Sequence, residues 1–262
     1  LDFHMNQNTP ELESSDAAAM RANYAGNVSL IDDQIGEILD VVEGRGELAN
    51  TVIAFTSDHG EMNGDWGLIY KMNFLDGALR VPMIVHWPGV TKAGSSCDTP
   101  VMTIDYFPTI MQITAADSES NSQNKVDGKS FVPLLQGKSG FSRDAIFWHY
   151  PLYLPGNGAG KVKPVHGTTE PYWRAVPATV MRKGDWKIFY FYEDKSVELY
   201  DVKNDISEKK NLTTEQAERT ATMKKELLTW VKNTKAPTPD KLNPKFGRTS
   251  ETAPIGKGQK AP

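Results

Sequence analysis

The pattern that most constrains the fold is a long helical repeat followed at once by a short apolar run. Between residues 16 and 42, apolar side chains recur at alternating steps of three and four, which predicts one stripe along an amphipathic helix. Gly44 and Gly46 end this helix. The next run, residues 51–56, is too short for a helix and rich in β-branched residues, so it predicts a strand covered on both faces. Helix, tight turn and buried strand are typical of an α/β sheet.

The α/β pattern continues to about residue 150. A second buried strand is predicted at residues 83–87, a helix at 104–113 and a further strand at 145–150. Residues 151–174 are then rich in Gly and Pro and show no period, which predicts a long functional loop. We therefore expect residues 1–150 to form a partial α/β core that ends at this loop.

A different pattern follows the loop. Three β-rich runs separated by turn residues predict an antiparallel meander, at residues 178–182, 186–192 and 197–200. A helix is predicted over residues 213–232, and the remaining residues lack periodicity. Residues 175–233 are thus expected to form a sheet-and-helix subdomain, and residues 234–262 an irregular tail.

Composition excludes several classes of protein. The 29 Lys and Arg against 33 Asp and Glu give a formal net charge of −4, so no basic field attracts nucleic acid or an anionic membrane. One cysteine, Cys97, excludes an intramolecular disulfide framework and a cysteine-rich zinc module. No apolar run approaches the roughly 20 residues that span a bilayer. We expect neither nucleic acid nor a membrane as a partner.

The first candidate for chemistry is Ser57-Asp58-His59-Gly60, directly after the first predicted strand. Ligands of open α/β sheets collect at the carboxyl ends of strands. A carboxylate followed by an imidazole can bind a divalent cation there, and a glycine lets the backbone turn sharply. The alternative is that Asp58 caps the next turn and His59 is a surface residue.

Two further residues are candidates for binding a substrate. Lys71 lies on the connection to the second buried strand, where its point charge can meet an anionic substrate beside the cation. The alternative is a solvated lysine, the usual environment of this residue. His149 lies at the end of the strand predicted at 145–150, next to the long loop, and is a candidate for lining a substrate pocket.

Several short motifs occur together in this order along the chain. They are Ser57-Asp58-His59-Gly60-Glu61-Met62, Arg80-Val81-Pro82, Trp87-Pro88-Gly89, Ile104-Asp105-Tyr106-Phe107-Pro108-Thr109, Arg182-Lys183-Gly184-Asp185-Trp186-Lys187 and Glu198-Leu199-Tyr200-Asp201. Together they resemble the type I sulfatases of the alkaline phosphatase superfamily. The resemblance implies the C-terminal portion of an alkaline-phosphatase-like α/β/α sandwich plus a small antiparallel sheet-and-helix subdomain.

The resemblance also implies roles for individual residues. Asp58 and His59 would be metal ligands, in this family usually for Ca²⁺. Family members often carry Asn at the second position, and an imidazole suits softer ions, so Mn²⁺ and Zn²⁺ stay open. Lys71 would contact the sulfate oxygens and offset charge on the leaving oxygen. His4 ends a segment similar to the strand that leads to the family's active-site His, so either His4 is the catalytic imidazole or that role is lost.

The family's nucleophile has no counterpart in these 262 residues. Members oxidise the Cys or Ser of a Cys/Ser-x-Pro-Ser-Arg motif to formylglycine, whose hydrated aldehyde attacks sulfur. That motif and the family's N-terminal metal-binding aspartates do not occur here, and Cys97 lies in a different context. We therefore predict the C-terminal part of a sulfatase that is inactive alone and has the missing N-terminal half of the fold as its partner.

The function that these observations favour is hydrolysis of a sulfate ester, with a sulfated carbohydrate or small aryl compound as substrate. One alternative is a phosphate or phosphonate ester hydrolase of the same superfamily. Another is a non-catalytic relic that binds sulfated ligands. The resemblance also implies a periplasmic, extracellular or lysosomal location, although the region that would carry the signal is not in this chain.

Overall fold

The computed structural model describes residues 14–116, 126–152, 154–155 and 173–239. Its helices are α1 (Ser14–Gly44), α2 (Asp76–Leu79), α3 (Tyr106–Ile113), α4 (Val132–Leu135) and α5 (Ala217–Thr234). Its strands are β1 (Ile53–Thr56), β2 (Met83–His86), β3 (Ile146–Tyr150), β4 (Leu154–Pro155), β5 (Trp173–Ala175), β6 (Ala178–Lys183), β7 (Trp186–Phe191) and β8 (Val197–Asp201). Three short 3₁₀ helices lie at Leu48–Asn50, Asp65–Gly67 and Thr103–Asp105. Within the described ranges, none of the helices combines the length and apolar character that a bilayer crossing requires.

The long helix predicted from the apolar stripe is confirmed, but the stripe is exposed. None of the residues of α1 is buried, and the stripe residues Tyr24, Val28, Ile31 and Ile38 are all largely accessible. Arg21 ties the helix to the segment that follows β1: its guanidinium donates to the carbonyl oxygen of Asn63 at 3.0 Å and to the carboxylate of Asp65 at 3.0 Å.

The two strands predicted to be covered on both faces are present, but the predicted burial is wrong. β1 and β2 pair with each other in antiparallel orientation, with Ile53 opposite His86. Phe55 is 38% exposed and Ile84 is 63% exposed. A strand is buried on both faces only where other layers cover both sides of its sheet, whereas β1 and β2 lie at the surface of the described chain.

The main sheet has four antiparallel strands in the order β3-β6-β7-β8. The predicted meander is confirmed as β6, β7 and β8. β3, which the sequence analysis assigned to the core at 1–150, pairs with β6 in this sheet, with Trp148 opposite Val180. A domain boundary after residue 150 would therefore divide this sheet, because β3 lies before the boundary and its partner β6 lies after it. Within the predicted long loop, β4 and β5 pair with each other; residues 153 and 156–172 lie outside the described ranges.

Both faces of the main sheet are covered. On one face, Met181, Ile188 and Leu199 pack against Met223 and Leu227 of α5. This helix begins at Ala217, later than the predicted start at 213, because residues 213–216 form turns. Of the predicted tail, residues 240–262 lie outside the described ranges.

The other face of the main sheet receives a segment from the first half of the chain. Strand residues Val180, Phe189 and Tyr200 form a cluster there with buried side chains from residues 62–78, namely Met62, Leu68, Leu75 and Ala78. Side chains alternate between the two faces of a strand, so each strand contributes to both clusters. The connection that carries Lys71 is thus packed directly on the C-terminal sheet.

Candidate active site

Asp58, His59 and Gly60 form a tight turn directly after β1. The backbone N–H of His59 donates to Oδ1 of Asp58 at 2.9 Å. The hydroxyl of Ser57 donates to the carbonyl oxygen of His59, also at 2.9 Å. Oδ2 of Asp58 lies 3.2 Å from Nε2 of His59. The turn therefore brings the carboxylate and the imidazole together, as the sequence analysis expected for two ligands of one cation.

The Asp58 carboxylate is open to solvent, with 82% of its side chain exposed. Its pKa is lowered from the usual 3.8, mainly because the His59 backbone N–H stabilises the ionised form. Interaction with the His59 ring and the positive charge of Lys71 lower this pKa further. Asp58 is therefore an anion at neutral pH, and Lys71 lies within its electrostatic reach.

The proton on His59 is fixed by its neighbour. Nδ1 lies 2.8 Å from the carbonyl oxygen of Gly60. A carbonyl oxygen can only accept, so Nδ1 carries the proton in this hydrogen bond. In the neutral ring the lone pair of Nε2 then faces Oδ2 of Asp58 at 3.2 Å. Two acceptors at this distance repel each other unless a proton or a cation lies between them. The pair is therefore a His–Asp ion pair when the ring is charged, and it offers two ligand atoms to a cation when the ring is neutral.

Asp58 and His59 supply two ligands, which is fewer than a complete site needs. Ca²⁺ takes six to eight oxygen ligands and a structural Zn²⁺ site takes four ligands. Among the described residues, no group of three or more His, Cys, Asp and Glu side chains is close enough to hold a metal ion. The metal site therefore stays a prediction, with this pair as one part of its coordination sphere.

Gly60 packs the turn against α2. Its N–H donates to the carbonyl oxygen of Ala78 at 2.8 Å. A Cβ atom at this position would lie 2.0 Å from the carbonyl oxygen of Gly77. No side chain fits at that distance from backbone, so the close approach of the turn to α2 requires glycine.

The backbone on both sides of Lys71 is held in a strained conformation. Tyr70 and Met72, on either side of it, have φ angles of 66° and 77°. Non-glycine residues rarely adopt this left-handed region, at a cost of order 1–3 kcal/mol each. Tyr70 is held by two contacts: its N–H donates to the carboxylate of Glu61, and its carbonyl oxygen accepts from the N–H of Met62 at 2.9 Å.

Of the two histidines predicted to act in substrate binding and catalysis, His149 and His4, the structure describes His149. His149 uses both ring nitrogens within the chain: Nε2 donates to the carbonyl oxygen of Pro237 at 2.7 Å, and Nδ1 lies 2.7 Å from Oγ1 of Thr179. Its ring also packs edge-on against Tyr192 and Trp230. A substrate would have to replace one of these hydrogen bonds, so the role of His149 stays a prediction. His4 lies outside the described residues.

A buried ionic cluster at the start of α2 was not predicted from the sequence. Nζ of Lys187, on β7, lies 2.8 Å from Oδ1 of Asp76 and 2.8 Å from Oε1 of Glu208. Oε2 of Glu208 accepts the backbone N–H of Asp76 at 2.9 Å. Burial raises the pKa of Glu208, although the charge of Lys187 opposes that rise. The sequence signal that could have indicated this cluster is Lys187 itself, a charged residue within the mostly apolar run of β7.

Comparisons with known proteins agree with the motifs. The sequence model of the sulfatase family matches residues 3–116. The model described as N-sulphoglucosamine sulphohydrolase, C-terminal, matches residues 64–234. A curated relative, a sulfatase from Formosa agariphila, is 32% identical over 251 residues, which cover 86% of this chain and 42% of the relative.

Solved structures show the same similarity. BT4656 in complex with its substrate D-glucosamine-2-N,6-O-disulfate superimposes with a TM-score of 0.62 and 29% identity, covering 79% of this chain and 38% of that chain. The phosphonate monoester hydrolase of Agrobacterium radiobacter gives a TM-score of 0.67 and 28% identity, covering 84% and 43%. The predicted alkaline-phosphatase-like α/β fold class is confirmed. The chain spans less than half the length of the curated relative and of both solved proteins.

Proposed function

Because the chain belongs to the sulfatase family, we propose that it supplies the cation-binding turn and the anion-binding lysine of an enzyme that hydrolyses sulfate esters. The observation that carries this proposal is the packing of the Asp58–His59 turn on the connection that bears Lys71, through the hydrogen bond from Gly60 to Ala78. The disulfated glucosamine bound by BT4656 supports a sulfated carbohydrate as the substrate class; a sulfated aryl compound is the second candidate.

Asp58 and His59 would hold a divalent cation, with Ca²⁺ as the first candidate and Mn²⁺ or Zn²⁺ as alternatives. The bound ion supplies positive charge that polarises a sulfate oxygen. Asp58 is suited to this role because its lowered pKa keeps it ionised. His59 is suited because its hydrogen bond to Gly60 holds the proton on Nδ1 and leaves the Nε2 lone pair for a cation.

Lys71, which is exposed and within electrostatic reach of Asp58, would bind the sulfate group. Its ammonium is a point charge with three donors, so it can contact a sulfate oxygen and offset the negative charge that develops on the leaving oxygen. The strained backbone at Tyr70 and Met72 fixes where this side chain starts. His4 is our candidate for the catalytic imidazole, and His149 is our candidate for lining the substrate pocket.

The nucleophile of the reaction would come from a polypeptide outside these 262 residues. We propose that this partner carries the formylglycine of a Cys/Ser-x-Pro-Ser-Arg segment and completes the N-terminal half of the fold. The exposed apolar side chains of α1, β1 and β2 give such a partner a surface to cover. The 262-residue chain alone is expected to turn over no sulfate ester.

Two measurements on the 262-residue chain test this proposal. Turnover of 4-nitrophenyl sulfate is measured with Ca²⁺, Mn²⁺ or Zn²⁺ present, and none is expected. Inorganic sulfate is then titrated while the NMR signal of the Lys71 side chain is followed. We expect the signal to shift, the apparent affinity to increase with Ca²⁺, and the effect of Ca²⁺ to disappear in Asp58→Asn.

The matched pair Lys71→Ala and Lys92→Ala separates specific binding from general attraction, because both residues are exposed lysines. Their sulfate affinities are compared by isothermal titration calorimetry, since Lys71→Ala lacks the Lys71 signal. Only Lys71→Ala should weaken sulfate binding. Equal sulfate affinity in the two variants would refute the anion-binding role. Metal-dependent hydrolysis by the chain alone, lost in Lys71→Ala, would refute the inactivity of the isolated chain. Sulfate binding without any turnover, even in a protein that carries this chain with its completing segment, would favour the non-catalytic relic that binds sulfated ligands.

A second candidate function is favoured by the similarity to the phosphonate monoester hydrolase. Sulfate and phosphonate monoesters present similar tetrahedral anions, and a cation with a lysine can bind either. Turnover of 4-nitrophenyl sulfate and of a phenylphosphonate monoester should therefore be compared in a protein that carries this chain with its completing segment. A higher kcat/KM for the phosphonate would replace the sulfatase proposal by this alternative.

A further inference from the structure

A buried ionic cluster joins the C-terminal sheet to the connection that carries Lys71. Lys187 on β7 is fully buried, and Asp76 and Glu208 are almost fully buried. We propose that Asp76, Lys187 and Glu208 are positioning residues, which fix Lys71 and the Asp58–His59 turn from the C-terminal sheet. The inference deepens the proposed function, since it rests on Lys71 as the residue that binds the anion.

The cluster has little freedom to rearrange. Lys187 bridges two carboxylates at 2.8 Å each, and Glu208 also accepts the backbone N–H of Asp76. The rings of Trp148 and Phe189 lie near the ammonium, with centroids at 5.9 and 5.4 Å. A charge in such surroundings is stable only with its partners in place. Asp76 therefore occupies one defined position relative to β7.

Asp76 transmits this position to both parts of the candidate site. It begins α2, and the carbonyl oxygen of Ala78 in the same helix accepts the N–H of Gly60 at 2.8 Å. Asp76 also follows Lys71 by five residues. The connection between them is shortened by a local turn, in which Oδ1 of Asn73 accepts the N–H of Leu75 at 2.9 Å.

Lys71 thus lies between two anchors. On its N-terminal side, Glu61 and Met62 hold Tyr70. On its C-terminal side, Lys187 and Glu208 hold Asp76. The left-handed backbone on both sides of Lys71 persists only where the surroundings enforce it, and the two anchors provide that enforcement.

The composition of the cluster also favours a positioning role over simple stabilisation. Its neighbours on the same face of the sheet include apolar side chains such as Phe189 and Val180, but Arg182, opposite Lys187, also lies 3.9 Å from Oδ2 of Asp76. Apolar replacements of a buried ion pair are often neutral or stabilising, so a buried charge cluster does little for stability compared with apolar packing. What it provides is a specific geometry, because three polar groups must meet at hydrogen-bond distance.

Hydrogen exchange in the 262-residue chain tests the proposal. The amides of Gly60 and Met62 report on the site, because they donate to Ala78 and Tyr70 across the two segments. In Lys187→Met we expect them to exchange at least about tenfold faster, since one anchor is lost. The matched control is Lys183→Met: Lys183 also meets two carboxylates, Asp144 and Glu226, but lies at the surface. Its removal should change the exchange of Gly60 and Met62 by less than about twofold.

A second variant keeps the test decisive if Lys187→Met fails to fold. The triple variant Asp76→Asn, Lys187→Met, Glu208→Gln removes every charge of the cluster and keeps its shape. It should fold, and its Gly60 and Met62 amides should still exchange at least about tenfold faster than in the unmodified chain. Unchanged rates at these two amides in the folded variants would overturn the proposal. So would an equal acceleration of the β7 amides, because that result indicates only global destabilisation.

Sulfate titration, followed by the Lys71 side-chain signal, separates this proposal from the proposed function. Lys187→Met or the triple variant should weaken sulfate binding at least about tenfold although Lys71 is intact. If the unmodified chain does not bind sulfate, the anion-binding function is refuted, and with it the catalytic meaning of the cluster. If sulfate binds equally well with and without the cluster, the function stands and the positioning role is refuted.

Discussion

Replacing Gly60 by alanine tests the geometry on which the candidate site depends. A Cβ atom at residue 60 would lie 2.0 Å from the carbonyl oxygen of Gly77, 3.0 Å from its carbonyl carbon and 3.2 Å from Cα of Ala78. All three are backbone atoms, so no side chain can rotate away. The turn that carries Asp58 and His59 must then separate from α2.

The expected cost follows from two contributions. Forcing extra atoms into a packed site costs about 1–3 kcal/mol. Separation of the turn from α2 also breaks the hydrogen bond from Gly60 to Ala78, which is worth about 0.5–1.5 kcal/mol. We therefore expect Gly60→Ala to lower the free energy of unfolding by about 1.5–4.5 kcal/mol.

The assay is urea unfolding followed by tryptophan fluorescence, with Gly36→Ala as the matched control. Gly36 lies within α1, and a Cβ atom there would meet nothing within 4 Å. This control should be neutral or stabilising by up to about 1 kcal/mol, because alanine favours the helix. Equal urea midpoints for the two variants would refute the close packing of the turn on α2.

Three further predictions concern contacts away from this turn. Arg143→Met leaves the fully buried carboxylate of Asp105 without the guanidinium that lies 2.5 Å from it. We expect this change to lower the free energy of unfolding in urea by about 3–5 kcal/mol. A loss below about 1 kcal/mol, the range of a surface ion pair, would contradict the importance of this pair. The side-chain amide of Asn204 is the main cause that lowers the pKa of Asp201 below 3.8, so the stability from this contact is present above pH 3.8 and is lost as the pH falls through the lowered pKa. In Asn204→Ala the Asp201 pKa, measured by NMR titration, should rise towards 3.8, and an unchanged value would assign the shift to the backbone amides alone. His149→Phe keeps an aromatic ring but loses the hydrogen bonds to Thr179 and Pro237. The segment around Pro237 should therefore become more sensitive to limited proteolysis, and an unchanged cleavage rate would contradict the contribution of these hydrogen bonds.

The sequence was sufficient to predict structure wherever the signal is local. The stripe of α1 and the three runs of the meander are periodic patterns within one element, and the structure confirms them. The Asp58–His59 turn was found because both residues follow a β-rich run directly. Its contact with α2 was not found, because nothing in the residues near Gly60 indicates that Ala78 accepts its N–H.

Contacts between distant residues were missed for the same reason. Lys187 and Asp76 are 111 residues apart, and Glu208 and Asp76 are 132 apart. Periodicity reports which face of an element is apolar, and it does not identify the element that covers that face. The burial of β1 and β2 was overpredicted for the same reason. An apolar run indicates a strand that can be buried, but whether other layers cover it depends on residues distant in sequence.

The left-handed backbone at Tyr70 and Met72 restricts how the neighbourhood of Lys71 can evolve. Glycine, asparagine and aspartate would enter either position with little conformational cost, whereas valine, isoleucine and threonine would disfavour the required angles. The choice of residue at these two positions is therefore limited by the backbone angle it must adopt and less by the chemistry of its side chain. Libraries that aim to change substrate selectivity should vary residues 70 and 72 within that permitted set, since other substitutions would displace the lysine before they altered recognition.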